Sequence, residues 1–253
     1  MKSEDFDPPF SRIAPYYDRL MSFVNYPAWI SYIEKILAAN RIPDRAIFDL
    51  GCGTGVCLEL WFKKGYRVSG LDGSAAMVEV CQKRLLPYLG AAPAIRVGDM
   101  RGFTLAQPVP VITSLYDTLN YLLTEEDLIR CLQAVYQNLQ AGGIFIFDMN
   151  TTHALRDEWG SNVFRRRDEN IHSVWDNTFN PATGISTLMI TLNIMESDPP
   201  FTLREVHQER AYPLSTIQDF LLRTGYRANL YRHLTFHPAS ENDIRIMAVA
   251  RKP

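Results

Sequence analysis

The segment Phe48-Asp49-Leu50-Gly51-Cys52-Gly53-Thr54-Gly55 constrains this chain more than any other. Its three glycines follow the apolar run Ala46–Leu50 and precede a stretch of helical periodicity that starts at Val56. Glycine lets a backbone turn tightly and approach a ligand closely, so the pattern predicts a strand, a ligand-binding turn and a helix in succession. The spacing narrows the ligand. A dinucleotide fingerprint has its third glycine where this chain has Val56, and no Gly-Lys-Ser/Thr is present. Phosphate cradling therefore loses support.

The strand and helix pattern continues past the loop. Helical spacing predicts a helix over Phe10 to Met21, on Ile13, Tyr16, Tyr17 and Leu20, and another from Pro27 to Ala39. Val56 to Lys64 reads as a helix stopped by Gly65, and Arg67 to Leu71 as a second strand. Ser74 caps a helix running towards Leu86 before Pro87. Ala94 to Val97 and Val109 to Leu115 are further strands. A capping box at Thr124 to Asp127 opens a helix through Leu139, ended by Gly142-Gly143, and Ile144 to Phe147 is the fifth strand. Short apolar strands alternating with helices predict a mostly parallel sheet covered on both faces.

After Asn150 the texture changes. Val163 to Arg167, Ile171 to Phe179, Ile185 to Met195 and Leu203 to Tyr212 alternate with period two, and Asn180-Pro-Ala-Thr-Gly184 has hairpin-turn chemistry. This predicts an antiparallel insertion. Ser215 then caps a helix to Arg223, and strands follow at Tyr226 to Arg232 and Ile244 to Ala250. The organisation expected is N-terminal helices over 1–40, a core over 41–150, the β insertion over 151–212, and a helix with strands over 213–253 that completes the core sheet.

Ligands of parallel α/β sheets bind at the carboxyl ends of the strands. Three carboxylates fall there. Asp49 precedes the loop and can pair with an ammonium group. Asp72, about twenty residues beyond the loop, can accept from ribose hydroxyls. Asp99 ends the third strand, where it can accept from an exocyclic amine. An acid capping a helix or loop explains any one of them. The three together with the loop suit a ligand with an amine, a ribose and an adenine but no phosphates, which describes S-adenosylmethionine (SAM).

At these residues the chain resembles the class I SAM-dependent methyltransferases. Asp49-Leu-Gly-Cys-Gly-Thr-Gly55 is similar to their first motif, and Leu71-Asp72-Gly-Ser-Ala-Ala-Met77 to their second. Gly98-Asp99-Met100 resembles the third, and Ser114-Leu115-Tyr116-Asp117 the segment lining the methyl-donor pocket. The resemblance implies a Rossmann-like α/β fold with a seven-stranded, mostly parallel sheet and the insertion after strand 5. It implies SAM as cofactor, held by Asp49, Gly51, Cys52, Gly53, Gly55, Asp72, Gly73, Met77, Asp99, Met100 and Leu115. Tyr16-Tyr17-Asp18 and Glu205-Val-His207-Gln-Glu209 resemble a small-molecule subgroup. There a tyrosine, here Tyr17, closes over the cofactor and the insertion roofs the substrate site.

Transfer from a sulfonium methyl is an in-line displacement that needs alignment and exclusion of water. An amine arriving neutral needs no catalytic base, whereas a hydroxyl benefits from one. His207, on the insertion strand expected to face the pocket, is the candidate base, against the simpler reading of a packed histidine. No metal-ligand spacing is present among the histidines. Asp7-Pro-Pro-Phe10 and Asp198-Pro-Pro-Phe201 match a tetrapeptide of nucleic-acid amino-methyltransferases, but neither follows the fourth strand, and turn chemistry explains both. A net charge of −2 also argues against nucleic acid. The four cysteines form no CxxC pair and read as buried free thiols. The start, Met1 to Phe10, has no signal-peptide pattern and no apolar run reaches the roughly 18 residues that span a bilayer, so a cytoplasmic protein without a membrane partner is expected. The expected activity is methyl transfer to an amine or hydroxyl of a small molecule. The alternative is a SAM-binding regulatory module without catalysis.

Overall fold

A computed structural model of the chain describes residues 6–89, 94–168 and 170–253. The first half of the acidic N-terminal stretch and Glu169 of the charged run after Arg167 lie outside the described residues. Strands β1 (Ala46–Leu50), β2 (Arg67–Asp72), β3 (Ile95–Val97), β4 (Val109–Ser114) and β5 (Leu139–Asn150) alternate with helices α3 (Val56–Lys63), α4 (Ala75–Leu89) and α5 (Glu125–Asn138). The short helix α1 (Tyr17–Leu20) and the longer α2 (Tyr26–Ala39) come before them. After β5 come β6 (Val163–Arg167), β7 (Ile171–Asn180), β8 (Ile185–Ile194) and β9 (Phe201–Arg210), then α6 (Leu214–Thr224), β10 (Arg227–Arg232) and β11 (Arg245–Arg251).

Seven strands form one sheet in the order β10-β11-β5-β4-β1-β2-β3. β1 to β5 are parallel, and β11 runs antiparallel between β5 and β10. Successive strand residues face opposite ways, and β5 shows the consequence. Ile144 and Ile146 pack into the layer of α2, α3 and α4, while Phe145, Phe147 and Met149 pack into the layer of α5 and α6. Both faces are apolar, which is why these strands read as continuous apolar runs. α2 shows the matching helical signal, with Trp29, Ile30, Ile33, Ile36 and Leu37 buried on one side, Pro27 in its first turn and Asn25 Oδ1 capping Ala28 N at 3.2 Å.

β6 to β9 form a separate four-stranded antiparallel sheet. The hairpin turn expected at Asn180 to Gly184 joins β7 to β8, with Gly184 at φ +69°. The sheet's own small core, around Ile171, Ile190, Leu192, Ile194 and Leu203, takes in Ile13 from the N-terminal segment.

Four local expectations need correction. The first helix does not start at Phe10: residues 10–13 are irregular, a 3-10 turn spans Ala14–Tyr16, and α1 begins at Tyr17. The amides of residues 10–13 turn to a carboxylate instead, as described below. α4 runs on through Pro87 to Leu89, although a proline there gives up one i→i−4 hydrogen bond. Gly142-Gly143 does not end α5, which stops at Asn138; both glycines lie inside β5, beside a register shift against β4. Ser215 does not cap α6, whose N-cap is Pro213; Glu241 Oε1 accepts the Leu214 amide at 2.8 Å instead.

Candidate active site

The carboxyl ends of β1, β2 and β4 surround a cavity of about 280 Å³. Tyr17, Asp49, Gly51, Cys52, Gly53, Asp72, Gly73, Met77, Met100 and Leu115 all line it. Two expected residues do not. Gly55, at φ +82°, is the N-cap of α3 and packs on Cys81. Asp99 is half exposed and gives both carboxylate oxygens to Arg101.

The loop is held by Asp72, whose Oδ2 accepts from Gly53 N and Oδ1 from Ser74 N, each at 2.8 Å. Burial raises the Asp72 carboxyl despite these two amides. Asp49 is deeper. Burial pushes it up to about 7, opposed by the Thr113 hydroxyl that donates to Oδ1 at 2.6 Å and helped by the nearby Asp72. A carboxylate in such a place gains from a cation. Gly51, Gly53 and Gly55 all have positive φ. A Cβ on Gly53 would meet no atom within 4 Å, so the loop leaves open space on its cavity side.

The N-terminal segment closes this cavity from above. Phe10 and Pro9 line it. Ser74 Oγ donates to Phe10 O at 2.6 Å, and Thr54 Oγ1 to Asp18 Oδ1 at 2.6 Å. The strongest tie is to the insertion. The buried Glu205 carboxylate of β9 accepts the amides of Phe10, Ser11, Arg12 and Ile13 at 2.6 to 3.0 Å. Burial pushes Glu205 up, but His207 and the amides of Ile13 and Arg12 outweigh it and hold the carboxyl below its usual value.

His207 sits two residues along the same strand face, 1 % exposed. Its Nε2 lies 3.2 Å from Glu205 Oε2 and its Nδ1 3.0 Å from the Tyr121 hydroxyl. The carboxylate can only accept, so Nε2–H donates to it, and a neutral ring then accepts from Tyr121 at Nδ1. Both ring nitrogens are thereby taken by protein groups.

A second cavity, of about 250 Å³, lies under the insertion and shares Tyr116 with the first. Trp159, Phe164 and Trp175 form its apolar wall, while Asp117, Asn150, His207, Glu209 and Arg245 form a polar one. At its junction with the first cavity, Tyr116 and Asp117 have φ of +64° and +54°. Two consecutive non-glycine residues in the left-handed region cost energy that something must offset. Asp148 does so: Oδ1 accepts from Tyr116 N at 2.5 Å and Oδ2 from Asp117 N at 2.9 Å, and Arg245 pairs with the same carboxylate. Burial still raises Asp148 to about 6, against the nearby Arg245.

The sequence placed Asp117 in the segment lining the donor pocket and Glu209 in the insertion motif without giving either a role, and it did not single out Arg245. One signal was present. Glu205, His207 and Glu209 share one parity on β9, which places polar groups along the face that also carries the buried Leu203.

Residues 47–143 match the methyltransferase domain family. A presumed methyltransferase of Geobacillus sp. (strain WCH70) is 25% identical over 248 residues, 96% of this chain and 99% of the relative. A dTDP-4-amino-2,3,4,6-tetradeoxy-D-glucose N,N-dimethyltransferase of Saccharopolyspora spinosa is 34% identical over 113 residues, 44% of this chain and 43% of the relative. The crystal structure of a SAM-dependent methyltransferase from Clostridium acetobutylicum superposes with a TM-score of 0.85 at 24% identity, covering 95% of this chain and 97% of that one. Strand order and glycine loop agree with the fold of that structure, and residues 47–143 carry the match to the methyltransferase domain.

Proposed function

We propose that this chain transfers the methyl group of SAM to an amine or hydroxyl of a small molecule held in the second cavity. The observation that carries this is the meeting of the two cavities at Tyr116. SAM supplies a methyl group already activated on sulfonium sulfur. Asp49 and the loop around Gly51, Cys52 and Gly53 would receive its amino-acid end. Asp72 would hold the ribose, and Met77 and Met100 would flank the adenine. Asp99 would reach the adenine amine only by releasing Arg101. Tyr17 and Phe10 exclude water from above. The open side of Gly53 and the buried Asp49 carboxylate, which accepts from Thr113, support this fit.

The relative from Saccharopolyspora spinosa is named for methylation of an amino sugar, and a roofed cavity of this size favours an acceptor of similar scale. His207 is better suited to positioning Tyr121 and Glu205 than to proton abstraction, because no ring nitrogen is free. Among the described residues no helix is long and apolar enough to cross a membrane. A cytoplasmic setting is part of the proposal, supported by four buried free cysteines. The test is release of S-adenosylhomocysteine from SAM on addition of small amines and alcohols. Turnover with a small acceptor supports the proposal; turnover only with a polymer overturns it.

A further inference from the structure

The polar wall of the second cavity is short of both positive charge and donors. Asp117, Asp148 and Glu209 gather around one guanidinium, that of Arg245, whose Nη2 lies 2.7 Å from Asp117 Oδ1. The cavity's other arginine, Arg166, stacks over the Phe23 ring at 3.9 Å. Asn150 is 2 % exposed and spends its amide donor on Glu209 Oε2 at 2.9 Å. Its own Oδ1 is buried with no hydrogen-bond partner among the described residues. A buried acceptor without a donor costs about 1–3 kcal/mol, and unbalanced buried carboxylates cost more. A ligand bringing several N–H donors and a positive charge relieves both; a hydroxyl brings one donor and no charge.

We propose that the acceptor is an amine, that Asn150 Oδ1, Asp117 and Glu209 bind its nitrogen, and that Glu209 receives the proton it gives up. This rests on the methyltransferase reading above. The nitrogen lone pair forms the new N–C bond as the C–S bond breaks with its electrons to sulfur. The proton left on the methylated nitrogen passes to the Glu209 carboxylate and from there to solvent. Burial and the facing Asp117 raise Glu209 to about 8, which suits a group exchanging a proton with an amine near neutrality. Asp117 from the segment after β4 raises Glu209, while Asn150 from β5 and Arg245 from β11 pull it down; Arg166 from β6 and His207 on its own strand line the same cavity, and Tyr121 faces Glu209 from the segment after β4.

The experiment titrates the protein saturated with S-adenosylhomocysteine, using benzylamine and 3-amino-3-deoxyglucose against benzyl alcohol and glucose. Each titration is run near pH 7 in phosphate and in Tris, whose ionisation enthalpies differ. An ammonium meeting a protonated Glu209 ends as one shared proton, so about one proton is released per amine bound. Glu209→Gln should abolish that release and lower amine turnover by at least about tenfold, with unchanged affinity for S-adenosylhomocysteine. The amide keeps the shape, so a purely structural role would leave proton release in place. Equal behaviour of each amine and its alcohol, including no binding by either, overturns the proposal, as does proton release that survives Glu209→Gln. Failure of S-adenosylhomocysteine itself to bind the wild-type protein is a separate result, and it would sink the methyltransferase reading instead.

Discussion

Asp72 Oδ2 accepts the amide proton of Gly53 at 2.8 Å, so the acid ending β2 and the glycine loop after β1 form one unit. The loop's three glycines nonetheless do different things. A Cβ on Gly51 would lie 2.3 Å from Thr118 Cγ2, and one on Gly55 2.5 Å from Cys81 Sγ, whereas one on Gly53 meets nothing. All three pay about 1–2 kcal/mol for an L-residue at positive φ, and the first two add an overpacking cost of about 1–3 kcal/mol. Gly51→Ala and Gly55→Ala should therefore be markedly less stable in urea titrations than Gly53→Ala. Gly53→Val should fold and lose SAM. Equal destabilisation by all three alanines would contradict this division.

The Glu205 carboxylate ties the N-terminal segment to the insertion through four backbone amides. Breaking a buried charge network of this kind costs about 3–5 kcal/mol. In Glu205→Gln one oxygen becomes a donor facing donors. Amide hydrogen exchange at residues 10–13 should accelerate by at least about tenfold, while exchange in β4 and β5 changes little. Unaltered protection at residues 10–13 would show that the segment is held by its apolar contacts alone.

Stability should fall with rising pH in the ligand-free protein. Asp49 is raised from 3.8 to about 7 and Glu209 from 4.5 to about 8, so the native state keeps protons that the unfolded chain has lost. Their stabilisation is full below the unfolded values and is lost as pH climbs through the folded ones. His233, lowered from 6.5 to about 4 by burial and Arg245, slopes the other way, but only below about pH 6.5. Melting temperature should drop from about pH 6.5 to about pH 8, and Asp49→Asn with Glu209→Gln should flatten it. A level or rising profile in the wild type would contradict these assignments.

The core was legible because its signals are local. Ala46–Leu50, the glycines after it and the acid Asp72 follow one another in sequence, so apolar runs and turn chemistry identify them. The two strand periods, continuous in β5 and alternating in β7 to β9, also separated the core from the insertion. What failed was non-local. Nothing near Phe10 announces that its amide will serve a carboxylate 195 positions away. Arg245 reaches Asp148 and Asp117 only because β11 inserts antiparallel beside β5, which pairs Arg245 with Asn150. Glu209 reads as one charged residue among several on an amphipathic strand until the fold turns its face into a cavity.

The central claim is that the cavity bounded by Asp49, Gly53 and Asp72 holds SAM. Isothermal titration of wild-type protein and Asp72→Ala with SAM, and separately with S-adenosylhomocysteine, tests it most directly. The account predicts micromolar binding of both by the wild type and a loss of at least about 100-fold in Asp72→Ala, since charged hydrogen bonds to ribose are worth about 1.5–3 kcal/mol each. Well-folded wild-type protein that binds neither, or an Asp72→Ala variant that binds as tightly, would contradict it.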